Sequence, residues 1–568
     1  MRLVETRLYE GPNVYRLAPT VRVEVAVGRS RAWHGSRSPG AGALVTLARP
    51  VPAGEWPDPV TDLVAWTRRL RAEHGEHAGP VVVHRASDAG RWVVAWPWIG
   101  AERARAIADA SFDLATRSVS AGRRVRLTGG QARLVERWST RIDAARANPS
   151  GWIRDADRTM PVISITGTNG KSTVTRLLTH ILLRAGRHVG TTTSDGILVD
   201  ERMIETGDWT GPGGAVAVLR RRDVDVAVLE TARGGLVQRG IGYESNEASV
   251  FTNVSSDHLD LHGIHTLPEL AEVKATVCRI TRPDGWTVLN ADDPLVAAVA
   301  RRVRSRVALF SMEPDRSPLM RRHVAAGGRG YALRDGSLVE LEGRESRAIV
   351  PVADVPVTLG GLARHNVANA LAAAGGARAM GATIEQVADG LRDFQPSTEL
   401  SPGRLNLFRL GSTTVVVDFA HNEAGTAAIL DVAAAIARAG GDADRAAVTA
   451  IVGTAGDRPD DTLRGIGRLA AQHADRVVVK ESLTYLRGRP RPEVVERLLE
   501  GIAEGGIDPA TVPIHETEVA ALEAELAGGG DPSDAPRVVV LFCHEQRDEV
   551  FALLERLGAR PVDDLGGF

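Results

Sequence analysis

Three lysines stand out in a chain that otherwise writes its basic residues as arginine. Of 69 lysines plus arginines, only Lys171, Lys274 and Lys480 are lysine. Lys171 sits in "PVISITGTNGKSTVTRLLTHILLRAG", where an apolar run leads into Gly167, Thr168, Asn169, Gly170, Lys171, Ser172 and Thr173 and then into an amphipathic stretch. Glycines let backbone N–H groups close around phosphate oxygens, and a helix N-terminus adds positive potential there. Lys171 can reach terminal phosphates, and the Ser172 hydroxyl can bind Mg²⁺. The strict G-x-x-x-x-G-K-[ST] pattern is not met, because Ile165 stands where its first glycine belongs. A plain glycine-rich turn would need neither the strand before, the helix after, nor the lysine.

Further candidates follow. Glu230 ends the apolar run "VDVAVLE", and a carboxylate at a strand's C-terminal end faces the ligand crevice of an open α/β sheet. There it could hold Mg²⁺. The next apolar run exits into "FTNVSSDHLDLHG", which carries Asn253, Asp257, His258 and Asp260. Lys274 follows in "LPELAEVKATVCRI". Thr266 and Glu269 read as a capping box with an early helical proline, which directs Leu270, Val273 and Val277 to the core. A surface lysine could as well have been arginine, as it nearly always is here. A lysine kept at 274 points to chemistry a guanidinium cannot do, such as reaction as a free amine. In the last third, apolar runs exit into Asp418 and His421, into Asp457 and Arg458, into Lys480 and Glu481, and into His544 and Glu545.

The elements that must position these groups fall into three zones. Residues 1–150 begin with strand-like stretches and end in helix-like ones. Eight of the ten tryptophans precede residue 153. No glycine-rich loop or metal-ligand spacing occurs there, so this zone reads as a structural or docking α+β domain. Residues 151–400 alternate β-branched runs with helical stretches, the pattern of a parallel sheet covered by helices. Residues 401–568 repeat that style as a smaller α/β domain. The net charge of −2 gives no reason to expect nucleic acid or a membrane surface as partner. No apolar run reaches the ~20 residues of a membrane helix. Two cysteines, Cys278 and Cys543, argue against a disulfide framework. A cytoplasmic enzyme is the expectation.

Taken in order, "TGTNGKST", "LETARGGL", "TNVSSDHLDLHG", the Lys274 helix, "LNADDP", "ARHNVANALAA", "GRLN", "VVDFAHN" and "GTAGDRPDD" resemble the Mur ligase family. Within it, "TARGGLVQRGIGY", "AGDRPDD" and "VKESLTYLRGRPRPEV" are most similar to the Mur-ligase-like part of cyanophycin synthetases, and "RLYEGPNVYRL" resembles their N-terminal domain. One departure is large: the chain passes from its first zone directly into the phosphate loop, leaving no room for the ATP-grasp ligase those enzymes carry between the two parts.

The resemblance implies a phosphate-loop α/β central domain and a smaller Rossmann-like C-terminal domain. It implies an ATP-dependent amide (peptide) ligase that joins an amino acid to a carboxylate through an acyl phosphate, with ATP and Mg²⁺. Thr168, Asn169, Lys171 and Ser172 would hold the phosphates and one metal; Glu230 and His258 would ligand metal. Lys274 matches the lysine that Mur ligases carbamylate. Asn366 and Asn369 match adenine-side asparagines. Arg404, Asp418 and His421 match C-terminal positions that close over the nucleotide. Asp457 and Arg458 match a loop that faces the incoming amino acid. Apart from the resemblance, the strand-end positions Lys480 and Glu481, with Arg233 and His421, are expected to face the substrates. Two other readings stay open: a ligase for a muropeptide- or folate-like scaffold, and a non-catalytic nucleotide-binding partner of a separate ATP-grasp ligase. Self-association into a homo-oligomer would fit the family.

Overall fold

The computed structural model describes the chain except residues 29–49, 77–78, 87, 123–126, 147, 257–258, 260, 440–446, 528–535 and 563–568. Among the described residues the strands form three sheets.

The largest sheet is built on the apolar runs of the middle zone. We label β1 Val162–Thr166, β2 Val226–Glu230 and β3 Asn246–Phe251. β1 lies between β3 and β2, parallel to both. Beyond β3 the parallel set continues through Thr281–Asn290, Arg306–Ser311 and Arg329–Arg334; beyond β2 it continues to Val189–Thr192. Antiparallel strands close each edge. Every residue of β1 and β2 is buried, because helices cover both faces and the strands can be apolar on both sides. Helix α1, Lys171–Arg184, and helix α3, Arg364–Ala379, pack on one face through Leu177, Leu178, Ala370 and Ala374. Helix α2, Leu267–Arg279, packs on the other, with Leu270, Val273 and Val277 in its core as its periodicity requires. Its capping box is present: the Glu269 N–H donates to Thr266 Oγ1 and the Thr266 N–H to Glu269 Oε2.

The C-terminal sheet repeats the construction. β4 Thr413–Asp418, β5 Ala447–Val452, β6 Arg476–Lys480 and β7 Arg537–Phe542 are mutually parallel in the order β6-β5-β7-β4. Asn406–Leu410 runs antiparallel beside β4.

The N-terminal sheet is antiparallel, from Arg2–Tyr9 through Thr20–Ala26 and Arg91–Pro97 to Val82–Arg85. Trp66 and Trp96 fill its core at 0% and 1% exposure, which accounts for part of the tryptophan enrichment. This unit grips the central one through "EGPN". The Glu10 N–H donates to the Arg239 carbonyl at 2.9 Å, and the Ile241 N–H donates to the Pro12 carbonyl at 2.7 Å. Among the described residues no helix is long and apolar enough to cross a membrane.

Candidate active site

The C-terminal ends of β1, β2 and β3 open into one cavity of about 710 Å³, walled on its far side by the C-terminal domain. Parallel strands deliver their following loops to the same edge, so residues far apart in sequence meet there.

The phosphate loop follows β1. Gly167 and Gly170 adopt φ of 153° and 81°. A Cβ on Gly167 would stand 1.9 Å from Thr252 Oγ1, and one on Gly170 would stand 2.2 Å from Asn369 Oδ1. Glycine is therefore required by both conformation and space. The loop is tied to the exit of β3: the Asn169 N–H donates to Asn253 Oδ1 and the Thr168 N–H to the Asn253 carbonyl, each at 2.9 Å. α1 begins at Lys171 with Gly170 as its cap, and the first amides of a helix lack intrahelical acceptors. Lys171 Nζ folds back onto the Thr168 carbonyl at 2.8 Å.

Beneath this loop lies Glu230, 3% exposed, with Oε2 buried and unpaired. Burial pushes its carboxyl up from the ordinary glutamate value, opposed by the charges of Lys171 and Arg404 and by the Ser172 hydroxyl. An unpaired buried charged oxygen costs roughly 1–3 kcal/mol or more. The donor set of Glu230 and Ser172 therefore fits a hard divalent cation.

Lys274 projects from α2 to the underside of the same loop. It is 3% exposed, and its Nζ donates to the Gly167 carbonyl at 2.6 Å. His258 lies outside the described residues.

The remaining walls carry most of the other expected residues. Asn366 donates to the Val357 carbonyl at 2.9 Å, and Asn369 donates to Asn366 Oδ1 at 3.0 Å. The Arg404 guanidinium lies 4.6 Å over the Phe419 ring. Asp418 accepts from the Leu405 N–H at 2.8 Å; burial pushes its carboxyl up to about 6 against the pull of Arg404. His421 Nδ1 donates to the Phe419 carbonyl at 3.0 Å. Arg233, Asp457 and Arg458 also line the cavity, and Asp457 pairs with Arg487 at 2.7 Å.

Lys480 and Glu481 do not line it. Lys480, 1% exposed, donates to Glu518 at 2.5 Å and to His544 Nδ1 at 3.0 Å, inside the C-terminal domain. Burial would raise the Glu518 carboxyl, but Lys480, His544 and neighbouring N–H groups together hold it low. The Lys480 ammonium is spent on this buried ion pair. Glu481 pairs with Arg491 at 3.1 Å beside a separate surface groove. A polar residue at a strand end was the signal for both, and that signal does not tell which side chains turn toward the ligand.

The sequence reading missed Ser194, Asp208, His365, Tyr485 and Arg487, all of which line the cavity. His365 was within reach, since it directly precedes Asn366; burial pushes it down to about 4, so it is neutral at pH 7.

Fold and cavity together define a nucleotide-site architecture of the Mur ligase type. Residues 165–377 match the Mur ligase middle domain and residues 403–542 the Mur ligase glutamate ligase domain; over these residues the chain belongs to the Mur ligase family. A cyanophycin synthetase of Crocosphaera subtropica is 40% identical over 383 residues, which is 67% of this chain and 42% of that protein. The chain thus spans about two fifths of the length of this relative. Among solved structures, E. coli FolC in complex with DHPP and ADP is similar at a TM-score of 0.51 and 18% identity, covering 70% of this chain and 89% of that one. A bifunctional folylpolyglutamate synthase/dihydrofolate synthase with Mn, AMPPNP and L-glutamate bound is similar at 0.50 and 18%, with the same coverage. These two likenesses concern the fold.

Proposed function

We propose that the protein is an ATP-dependent ligase that joins an amino acid to a carboxylate through an acyl phosphate. The observation that carries this reading is the single cavity shared by Lys171, Ser172, Glu230, Lys274, Arg404, Asp418, Asp457 and Arg458. Its central-domain wall suits a nucleoside triphosphate and its C-terminal wall suits a charged amino acid. The 40% identity to a cyanophycin synthetase supports the same reading, and the fold shared with a synthase solved with Mn, AMPPNP and L-glutamate agrees with it. We read the chain as three units, 1–150, 151–400 and 401–568, with the first as a docking or scaffold domain.

Lys171 and the first-turn amides of α1 would surround the terminal phosphates, and Arg404 would close on them from the C-terminal side. Ser172 and Glu230 would hold Mg²⁺, which when bound neutralises charge on the phosphate oxygens. A substrate carboxylate oxygen attacks the γ-phosphorus, and the bond to ADP breaks. An amine nitrogen then attacks the acyl carbon, inorganic phosphate leaves, and the amine gives up a proton. Closure of the two walls excludes water from the acyl phosphate.

Lys274 would act as a carbamate. Its amine, in the neutral form, adds CO₂ and releases one proton, giving a carboxylate-like group under the phosphate loop. The carbamate nitrogen keeps one N–H, which the Gly167 carbonyl can still accept. We take the acceptor to be a peptide or amino-acid carboxylate and the amine an amino acid such as arginine.

The test is phosphate release from ATP with Mg²⁺, scanned over amino acids and short acidic peptides, with the product identified by mass. An adduct lighter by one water than the sum of its substrates is expected. Release that no amine–carboxylate pair stimulates would instead favour a nucleotide-binding partner.

A further inference from the structure

The linker between the two cavity-forming domains is held by two arginines from opposite sides. Arg176, on α1, donates Nη1 to the Leu400 carbonyl. Arg547, at the start of the helix Arg547–Arg556 after β7, donates Nη1 to the Pro402 carbonyl at 3.4 Å. Both are anchored to one carboxylate. Asp195 Oδ2 accepts from Arg176 Nη2 at 2.7 Å, and Asp195 Oδ1 accepts from Arg547 Nη1 at 2.8 Å.

Asp195 belongs to the central domain, Arg547 to the C-terminal one, and Arg176 to the helix that begins at the phosphate loop. The carboxylate is 12% exposed. Burial would raise its carboxyl, but Arg404, Arg176 and Arg547 together hold it below the usual carboxylate range, so it stays charged at neutral pH. Its neighbour Ser194 lines the cavity and accepts from Arg404 Nη2 at 3.4 Å. Arg404 lines the cavity and at the same time adds its charge to the Asp195 cluster.

We propose that Asp195 is a positioning residue that sets the linker, and through it the orientation of the C-terminal domain over the phosphate loop. It contacts no reacting atom in this role. The geometry of a hinge is set by a few residues at element ends, and here one carboxylate fixes two linker carbonyls through two guanidiniums. Removing one partner of a buried pair leaves the others uncompensated. Loss of Asp195 frees both arginines at once, and the C-terminal wall then drifts from the phosphate loop. The kinetic consequence rests on the ligase reading; the conformational one does not.

The experiment uses the full chain with Arg304→Cys and Ala524→Cys, both exposed positions, one in each domain. The two native cysteines are buried at 0% and 2% and leave labelling to the introduced pair. Interdomain distances are read by fluorescence transfer with saturating Mg·ADP. A single narrow distribution is expected for the otherwise native chain. Asp195→Asn and Arg547→Leu should each broaden and lengthen it, Asp195→Asn more, and the double variant should do so no more than Asp195→Asn alone, as a shared interaction requires. Arg547→Lys, which keeps the charge, should restore most of the narrow population. Unchanged distributions in both single variants, or fully additive effects in the double, overturn the proposal. If Asp195→Asn fails to fold, Arg547→Leu carries the test, since the Arg547 side chain is 34% exposed. With a turnover assay in hand, Asp195→Asn should raise KM for the amine about tenfold while kcat changes less than twofold. The distance arm reads the clasp even where no turnover is found, so failure of the two readings is distinguishable.

Discussion

Asn169 of the phosphate loop and Asn422 of the C-terminal domain exchange two amide hydrogen bonds across the domain junction, at 3.3 and 3.0 Å. Asn422 is fully buried and also accepts from the Gly425 N–H at 2.9 Å, which fixes the start of the following helix. The phosphate loop is thus held from both domains. Asn422→Ala should raise KM for ATP about fivefold, since a net neutral hydrogen bond contributes roughly 1 kcal/mol. Asn422→Asp, which sets a like charge beside the phosphates, should raise it further. ATP-titrated phosphate release checks both, and equal KM values in all three proteins would contradict the role.

Lys274→Arg should abolish turnover, because a guanidinium cannot be carbamylated. Lys274→Ala should be inactive alone and partly recovered by a short carboxylate such as acetate or propionate at high concentration. Labelling with ¹³CO₂ should give a carbamate carbon signal that Lys274→Ala loses. A fully active Lys274→Arg would remove the carbamate from the mechanism.

Gly170→Ala meets both a left-handed φ and Asn369 Oδ1 at 2.2 Å. The left-handed conformation alone costs roughly 1–2 kcal/mol for a residue with a Cβ. Affinity for a fluorescent ADP should fall at least tenfold while the far-ultraviolet dichroism stays native. Unaltered affinity would mean that the loop does not hold the phosphates.

Asp418 supplies a pH dependence. Its carboxyl ordinarily ionises at 3.8, and burial pushes it up to about 6 in the fold. The folded state holds that proton more tightly than the unfolded chain, so this residue's contribution to stability falls as pH rises from about 4 to about 6. Above that range the cost of the buried charge is fully present. Asp418→Asn can still accept from Leu405, so at pH 8 the nucleotide-free variant should melt roughly 2–4 °C higher while binding nucleotide less tightly. At pH 4 the two melting points should converge; a variant less stable at pH 8 would contradict this.

Local signals carried the sequence reading far. The phosphate loop, the Glu230 strand end and the Lys274 helix each follow from patterns within about twenty residues, and all three reach the cavity. Lysine scarcity singled out residues that are not on the exposed surface: Lys274 and Lys480 are 3% and 1% exposed, and Lys171 is partly buried. It did not tell a site lysine from Lys480, whose partner Glu518 is 38 residues away. Asp195, Asn422 and Arg547 were illegible for the same reason. Their partners lie in another domain, up to 352 residues distant, and no local pattern encodes such a pairing.

The central claim is that a substrate carboxylate is activated by phosphorylation. It is tested most directly by enriching the carboxylate of the identified acceptor with ¹⁸O and measuring the released phosphate by mass. An acyl phosphate transfers one labelled oxygen to each phosphate formed alongside ADP. Unlabelled phosphate, or label appearing in AMP instead, would contradict it.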